Sequence, residues 1–406
     1  MNGLFDLPDR CLRCGFCLNS CPVYKDLREE IISPRGKLRQ IKALSNNEVV
    51  SDKLILKVMN NCLMCGACLK NCPSSLETPA AIQKLREQLF EKYGHDLLKR
   101  GMKFIMNNNR ARKLSAFWAR VVYNNFIDSL PFSVPAGALS LKDIPKLARP
   151  LYPVKLKNNG SKKVFYFAGC VDKYIYGDTA RSAVRVLNKL GYDVMVSKDE
   201  RCCGIPMLIS GDTKAIIKNA KHNVDLMRRQ YFDYIVFTCP TCAVAFKEKY
   251  YGIFSEDEVY TKKLEALESK FIEITQLLAK EKGLRSLLNE LPLKVTYHDP
   301  CHMVNSLNAV KEPRIVISMI PGLQYIEMNP EKTANCCGSG GFYHIYFPDI
   351  SSGIGKGKIE MIRETRAETV LTSCPACKMQ INGLLRKAGS SVRVMHIVEL
   401  LNQRMK

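Results

Sequence analysis

The chain has 406 residues, 46% of them hydrophobic, and a formal charge of +22 from 61 basic and 39 acidic residues. That length suits two or three domains, and that hydrophobic fraction suits an ordinary soluble globular protein. No apolar run approaches the ~18 residues of a spanning helix, which excludes a helical integral membrane protein.

All 18 cysteines fall into four tight groups. The first motif begins at Cys11, which leaves no room for a signal peptide, and free thiols in such runs need a reducing compartment, so the expected location is the cytoplasm. The charge has three readings. Nucleic-acid binding is not expected, because no helix-turn-helix or RNA-binding signature accompanies the basic residues. Attachment to the anionic inner face of a membrane is the second. The third is internal compensation, since a cluster held by four thiolates carries negative charge that nearby cations offset.

In chain order, Cys11, Cys14, Cys17, Cys21-Pro22 and Cys62, Cys65, Cys68, Cys72-Pro73 each read C-x2-C-x2-C-x3-C-P. This is the bacterial ferredoxin spacing for cubane 4Fe–4S clusters, in which the fourth cysteine serves the other cluster. The first cluster is therefore expected on Cys11, Cys14, Cys17 and Cys72, and the second on Cys62, Cys65, Cys68 and Cys21. Zinc also takes cysteine quartets, but two consecutive runs of this form argue for iron. Ser45–Leu56 and Pro79–Tyr93 read as helical, with few β-branched alternations, so residues 1–100 are expected to form a helical ferredoxin domain.

Residues 101–160 form a basic bridge. Within Lys99–Ile127, Leu114, Phe117, Trp118, Val121, Val122 and Phe126 share one apolar face, bordered by Lys103, Arg110, Arg112, Lys113 and Arg120. Packing between domains and docking on a membrane or an anchor protein both fit that pattern.

From Lys162 the texture becomes α/β. Strand patterns at Val164–Ala168, Tyr192–Val196 and Tyr234–Thr238 alternate with helices at Thr179–Leu190 and Asn219–Tyr231. They deliver Cys170, Cys202-Cys203-Gly204 and Cys239-Pro-Thr-Cys242. The same events recur with strands at Lys294–Tyr297 and Thr369–Ser373, delivering Cys301, Cys336-Cys337-Gly338 and Cys374-Pro-Ala-Cys377. The spacings are 31 and 34 residues, then 35 and 36, a duplication with a period of about 130 residues across an expected pseudo-two-fold axis. Thiolates between a strand end and a helix start gain from the helix dipole, and the glycine after each Cys-Cys pair is expected to let the backbone approach a bulky cluster. Vicinal disulfides or buried apolar cysteines are the plainer alternatives; repetition of the whole pattern favours metal.

These motifs resemble the paired CCG domains of heterodisulfide reductases. Two ferredoxin motifs followed by two CCG domains resemble the iron–sulfur subunits of glycolate oxidase, lactate utilisation systems and anaerobic glycerol-3-phosphate dehydrogenase. The resemblance implies an α + α/β architecture with first and second CCG domains over 161–285 and 286–406. It implies one or two noncubane 4Fe–4S clusters, held by Cys170, Cys202, Cys203, Cys239 and Cys242 and by Cys301, Cys336, Cys337, Cys374 and Cys377. Ser33-Pro34-Arg35-Gly36-Lys37 resembles a stretch of the glycolate and lactate subunits, although a serine-capped turn explains it equally. His298-Asp-Pro-Cys-His302 and Glu312-Pro-Arg314 look closer to the membrane-linked heterodisulfide reductases.

No G-x-G-x-x-G after a strand and no Walker lysine occur, so no flavin or nucleotide is expected on this chain. The implied role is electron transfer from a flavoprotein dehydrogenase subunit towards quinone, with a membrane anchor subunit as a further partner. The alternative is cleavage of a disulfide at the CCG clusters. His298 and His302 flank Cys301 and are candidate proton donors for that chemistry; hydrogen bonds to cluster sulfurs or backbone are the alternative role.

Overall fold

The computed structural model describes residues 6–46, 48, 51–94, 96–126, 135–136, 139–140, 146–149, 151–156, 162–329 and 336–406. Everything before Pro135 that is described is helix, turn or loop. Helices Phe16–Ser20, Pro22–Leu27, Pro34–Ser45, Asp52–Asn60, Ala67–Lys70 and Thr78–Tyr93 enclose a core of Val23, Leu38, Ile41, Ile55, Met59 and Ile82. Ser33 caps Pro34–Ser45 by accepting from Gly36 N at 2.9 Å, with Pro34 at the first helical position. The expected helix over Ser45–Leu56 is instead a boundary, because one helix ends at Ser45 and the next starts at Asp52. Polar Ser45, Asn46 and Asn47 have low helix propensity and compete for backbone hydrogen bonds, which explains the stop.

A short antiparallel pair, β1 (Pro135–Ala136) and β2 (Leu139–Ser140), precedes the α/β region. Two four-stranded parallel sheets follow. In the first, β3 (Lys163–Phe167) lies between β4 (Asp193–Met195) and β5 (Tyr234–Phe237), and β6 (Phe271–Glu273) pairs with β5. In the second, β7 (Lys294–Tyr297) lies between β8 (Gln324–Tyr325) and β9 (Thr369–Thr372), and β10 (Arg393–His396) pairs with β9. Element for element the order is the same. The edge strands β6, β8 and β10 are short and were not legible as strands in the sequence.

The two sheets share one apolar core, in which Val164, Val236 and Leu277 join Val295, Leu371 and Leu401. Packing of the helices is reciprocal. Gly177–Lys189, from the first repeat, packs on Ile397–Arg404 from the second, and Lys311–Ser318 from the second packs on Ile274–Leu278 from the first. That exchange is what a pseudo-two-fold axis requires. No helix among the described residues is long and apolar enough to cross a membrane.

Candidate metal centres

Both ferredoxin loops turn in the same way. Arg13 and Gly15 in one, and Met64 and Gly66 in the other, have left-handed backbone at matching motif positions. Left-handed residues of this kind are what a loop needs to present successive N–H groups to an anionic centre. Two cavities result. One of about 30 Å³ is lined by Cys21, Cys62, Cys65 and Cys68, and a second of about 30 Å³ holds Cys11, Cys14, Cys17 and Cys72 in its wall. Chain order alone would have kept each run together; the cavities cross them.

The CCG thiols converge as well. One cavity of about 440 Å³ is bordered by Cys170, Cys202, Cys203, Cys239 and Cys242 and equally by Cys301, Cys336, Cys337, Cys374 and Cys377. Cys170 and Cys202 approach to 3.7 Å between sulfurs, Cys203 and Cys242 to 3.6 Å, and Cys337 and Cys377 to 3.3 Å. Cys239 and Cys374 cap the helices Pro240–Val244 and Pro375–Lys387, so these thiols sit at helix N-termini. Gly204 and Gly338 have φ near +80° to +90°, and the crowding is not with the cavity. A Cβ would lie 2.4 Å from Ile216 at Gly204 and 2.5 Å from the Ser351 carbonyl oxygen at Gly338. Each glycine thus sets a turn packed against the protein, which corrects the expectation that it makes room for a cluster.

Burial governs the thiol chemistry. It raises the pKa of Cys17 to about 11, and it pushes Cys65 well up. Cys203 moves the other way, down to about 6, because Cys202 and Cys242 donate to its sulfur. Without metal, most of these thiols hold their protons; iron would displace them. The donor set therefore fits iron–sulfur clusters: soft thiols, grouped, buried and in enclosed cavities.

Cations lie near the thiols, and three of them, Lys37, Arg86 and Lys358, are buried. Lys37, 2% exposed, lies near Cys62 and Cys21 and bonds the Ile32 carbonyl. Arg86, 4% exposed, donates to the carbonyls of Met59, Cys62 and Ile209. Arg35 reaches the Arg13 carbonyl at 3.1 Å inside the first loop. In the second repeat, buried Lys358 lies near Cys337 and Cys336. Part of the excess positive charge is thus internal. Ser33-Pro34-Arg35-Gly36-Lys37 forms the serine-capped helix start that one of its readings expects, and it also places Lys37 and Arg35 in the walls of the two ferredoxin cavities.

The second ferredoxin loop adjoins the second repeat. Asn305 Nδ2 donates to the Cys65 carbonyl at 2.8 Å, and Cys65 borders a cavity of about 370 Å³ together with Cys301 and Cys336. His302 faces the large cavity, its Nδ1 2.9 Å from Thr241 Oγ1 of the opposite repeat. His298 stands behind Cys337 and Cys377, fully buried. Burial drives His298 down to about 3 and His302 to about 4, so both are neutral imidazoles at neutral pH.

Sequence reasoning missed the supports of the strand ends. Tyr166 OH meets Thr238 Oγ1 at 2.8 Å, and Tyr297 OH meets Ser373 Oγ at 2.9 Å. Each tyrosine lies four residues before the single cysteine, and each hydroxyl lies just before the Cys-Pro, so comparing the two repeats position by position carried the signal. The bridge divides between its two readings. Packing between domains holds for helix Leu97–Asn107, whose Met102 and Met106 line the large cavity. On helix Asn109–Phe126, by contrast, Leu114, Phe117, Trp118 and Val122 are all more than half exposed, and Val121 is half-buried. The Phe126 side chain, also part of the expected face, lies outside the described residues.

Comparison with known proteins agrees with this arrangement. A cysteine-rich domain model, CCG, matches residues 164–247 and 295–382, and a 4Fe-4S dicluster domain model matches residues 8–76. The chain is 28% identical over 413 residues to the probable glycolate oxidase iron–sulfur subunit of Bacillus subtilis, covering 96% of this chain and 92% of that one. It is 26% identical over 415 residues to a dihydromethanophenazine:CoB–CoM heterodisulfide reductase chain of Methanosarcina barkeri, covering 97% and 93%. Lactate utilization protein A of Oceanobacillus iheyensis matches at 32% over 240 residues, 59% of this chain and 96% of that protein. Two CCG matches behind a dicluster match, with full-length relatives of this kind, mean that the chain belongs to the CCG-domain family of iron–sulfur oxidoreductase subunits.

Proposed function

We propose that the chain is the electron wire of a respiratory oxidoreductase. It accepts electrons from a flavin-containing 2-hydroxyacid or glycerol-3-phosphate dehydrogenase subunit and passes them towards quinone. The observation that carries this reading is the unbroken succession of thiol-lined cavities, from the first ferredoxin loop to the second, then by way of Cys65 to Cys301 and Cys336. In it, residues 1–100, 161–285 and 286–406 act as three cofactor-bearing units. Cys11, Cys14, Cys17 and Cys72 would hold one cubane cluster, and Cys21, Cys62, Cys65 and Cys68 the other. The two CCG sets would hold noncubane clusters. Bound clusters supply reversible one-electron storage. The protein's part is to exclude water, fix the thiolates and offset their charge through Lys37, Arg86 and Lys358. Cys14 is exposed, with Leu12 and Phe16 exposed beside it, so the first site faces the partner protein.

The exposed face of Asn109–Phe126 docks on an anionic membrane surface in this reading. Leu114, Phe117, Trp118 and Val122 are flanked by exposed Arg110 and Lys113, the pattern of an interfacial helix. Co-sedimentation with anionic vesicles, lost in Trp118→Ser and with neutral vesicles, tests it.

A specific observation supports the second reading, disulfide cleavage. All ten CCG cysteines border one cavity with an apolar wall that includes Met102, Met106 and Ile345. Iron quantification with EPR before and after adding a mixed thiol disulfide separates the two. About sixteen irons per chain with no disulfide-induced signal support the relay. A new paramagnetic signal supports disulfide cleavage, and about eight irons would remove the CCG sites from both.

A further inference from the structure

The two repeats differ at one position behind their thiols. Three residues before the single cysteine, the first repeat has Phe167 and the second has His298. Phe167 packs on Phe237 and Phe246, with ring centroids 5.6 and 5.2 Å apart, as an ordinary part of an aromatic core. His298 is 1% exposed, and neither Nδ1 nor Nε2 has a hydrogen-bond partner. An imidazole buried with both nitrogens unsatisfied is costly, on the order of 1–3 kcal/mol for each lost partner. One ring nitrogen lies with the sulfurs of Cys337 and Cys377 in a group whose ligand atoms are all within 4.8 Å of one another. The ring makes no hydrogen bond to either sulfur, yet the spacing suits one metal atom between the three.

We propose that His298 is a nitrogen ligand to iron in the second CCG site, on the same iron as Cys337 and Cys377, and that the first site has no such ligand. The inference rests on the reading of the CCG sets as iron–sulfur sites. The His298 backbone is fixed in position: just past the end of β7, its N–H donates to the Leu371 carbonyl at 2.8 Å. Neutral imidazole is the ligating form, and burial favours it. Both sites keep five thiols, so the imidazole is an added neutral ligand, and ligand set is one of the levers on potential; the two sites would therefore differ in reduction potential.

The test is pulsed EPR on protein labelled with ¹⁵N-histidine, alongside iron and zinc analysis, for the wild type and for His298→Phe, which copies the first repeat. The expected result is a strong coupling from directly bound nitrogen in the wild type. In His298→Phe that coupling is lost and the potential of one site shifts, while the first repeat keeps its iron. His298→Gln, smaller and polar, provides the same readout if the phenylalanine variant does not fold. In metal-free protein, His298→Phe is expected to raise the melting temperature, because it removes unsatisfied nitrogens; an imidazole with a structural role would make it fall. Full iron without a nitrogen coupling, or a coupling that survives in His298→Phe, overturns the role of His298 alone. Iron absent from the second site, or zinc in its place, overturns the cluster reading of that site.

Discussion

The first and second repeats share a frame and differ in its lining. Strand order, the tyrosine–hydroxyl pair at the strand ends and the capping of the last helix all recur. Glu273 with Gln276 forms a capping box in one, and His396 with Glu399 forms it in the other. Around the thiols the resemblance stops. The first repeat backs its cysteines with Phe165, Phe167, Phe237 and Phe246, whereas the second backs them with His298 and Lys358 and abuts the ferredoxin loop. A duplicated scaffold fixes where metal goes; the environment around it sets what that metal does. Polarity, nearby charge and ligand type are the protein's levers on cluster potential, and they differ between the repeats.

That contrast can be broken in several ways. The largest effect is expected from Cys203→Ala and Cys337→Ala. Each should lose about four irons from its own repeat alone, and each should slow electron flow through the proposed relay. Iron analysis and stopped-flow reduction check both; loss from both repeats in either variant would show one shared cluster.

Next is the ion pair that ties the repeats together. Lys378 Nζ lies 2.5 Å from Glu399 Oε1, about a tenth exposed, and Glu399 also accepts from Thr179 of the first repeat. Lys378→Met leaves that carboxylate buried and unpaired and should cost about 3–5 kcal/mol by urea unfolding. Adding Glu399→Gln should restore part of it.

The second repeat should also be the more acid-sensitive. Burial, with Lys378 nearby, lowers His396 to about 4, and its Nε2 lies 3.0 Å from the Thr238 carbonyl. An unfolded histidine titrates near 6.5, so between about 6.5 and 4 the unfolded chain binds a proton that the folded one does not. Stability therefore falls as pH drops through that window, by up to about 3 kcal/mol. Glu273, at the matching position, adds no such loss there, because burial raises it to about 8. Unfolding at pH 7 and pH 5 should show a smaller difference in His396→Gln than in the wild type.

The smallest effects compare the two tyrosines. In the first repeat Thr238 Oγ1 also donates to buried Asp172 at 2.6 Å, whereas among the described residues the Ser373 hydroxyl that meets Tyr297 has no such carboxylate partner. Tyr166→Phe should cost about 1–2 kcal/mol and Tyr297→Phe about 1 kcal/mol. Equal costs would mean that Asp172 adds nothing.

Much of this was legible in the sequence. Cysteine spacing located all four thiol groups, because ligand geometry forces short fixed intervals, and the duplication followed from comparing intervals. Central strands β3, β5, β7 and β9 were readable as apolar runs buried on both faces. Edge strands such as Gln324–Tyr325 were not, since two residues carry no periodicity. The buried cations could not be anticipated either: Lys358 and Arg86 sit in helices that also carry solvent-facing Lys and Glu, and only the fold says which face is dry. The reading of Gly204 and Gly338 was right about backbone freedom and wrong about what crowds them, because Ile216 and Ser351 come from other elements of the fold.

The reciprocal helix packing bears on how the molecule is made. During synthesis the first repeat emerges before its partner, yet Gly177–Lys189 rests on Ile397–Arg404, more than 200 residues later. Until that helix has left the ribosome, the apolar side of Gly177–Lys189 stays uncovered. The first repeat thus completes its core only with the second, and closure of the pair waits on a contact spanning more than 200 residues.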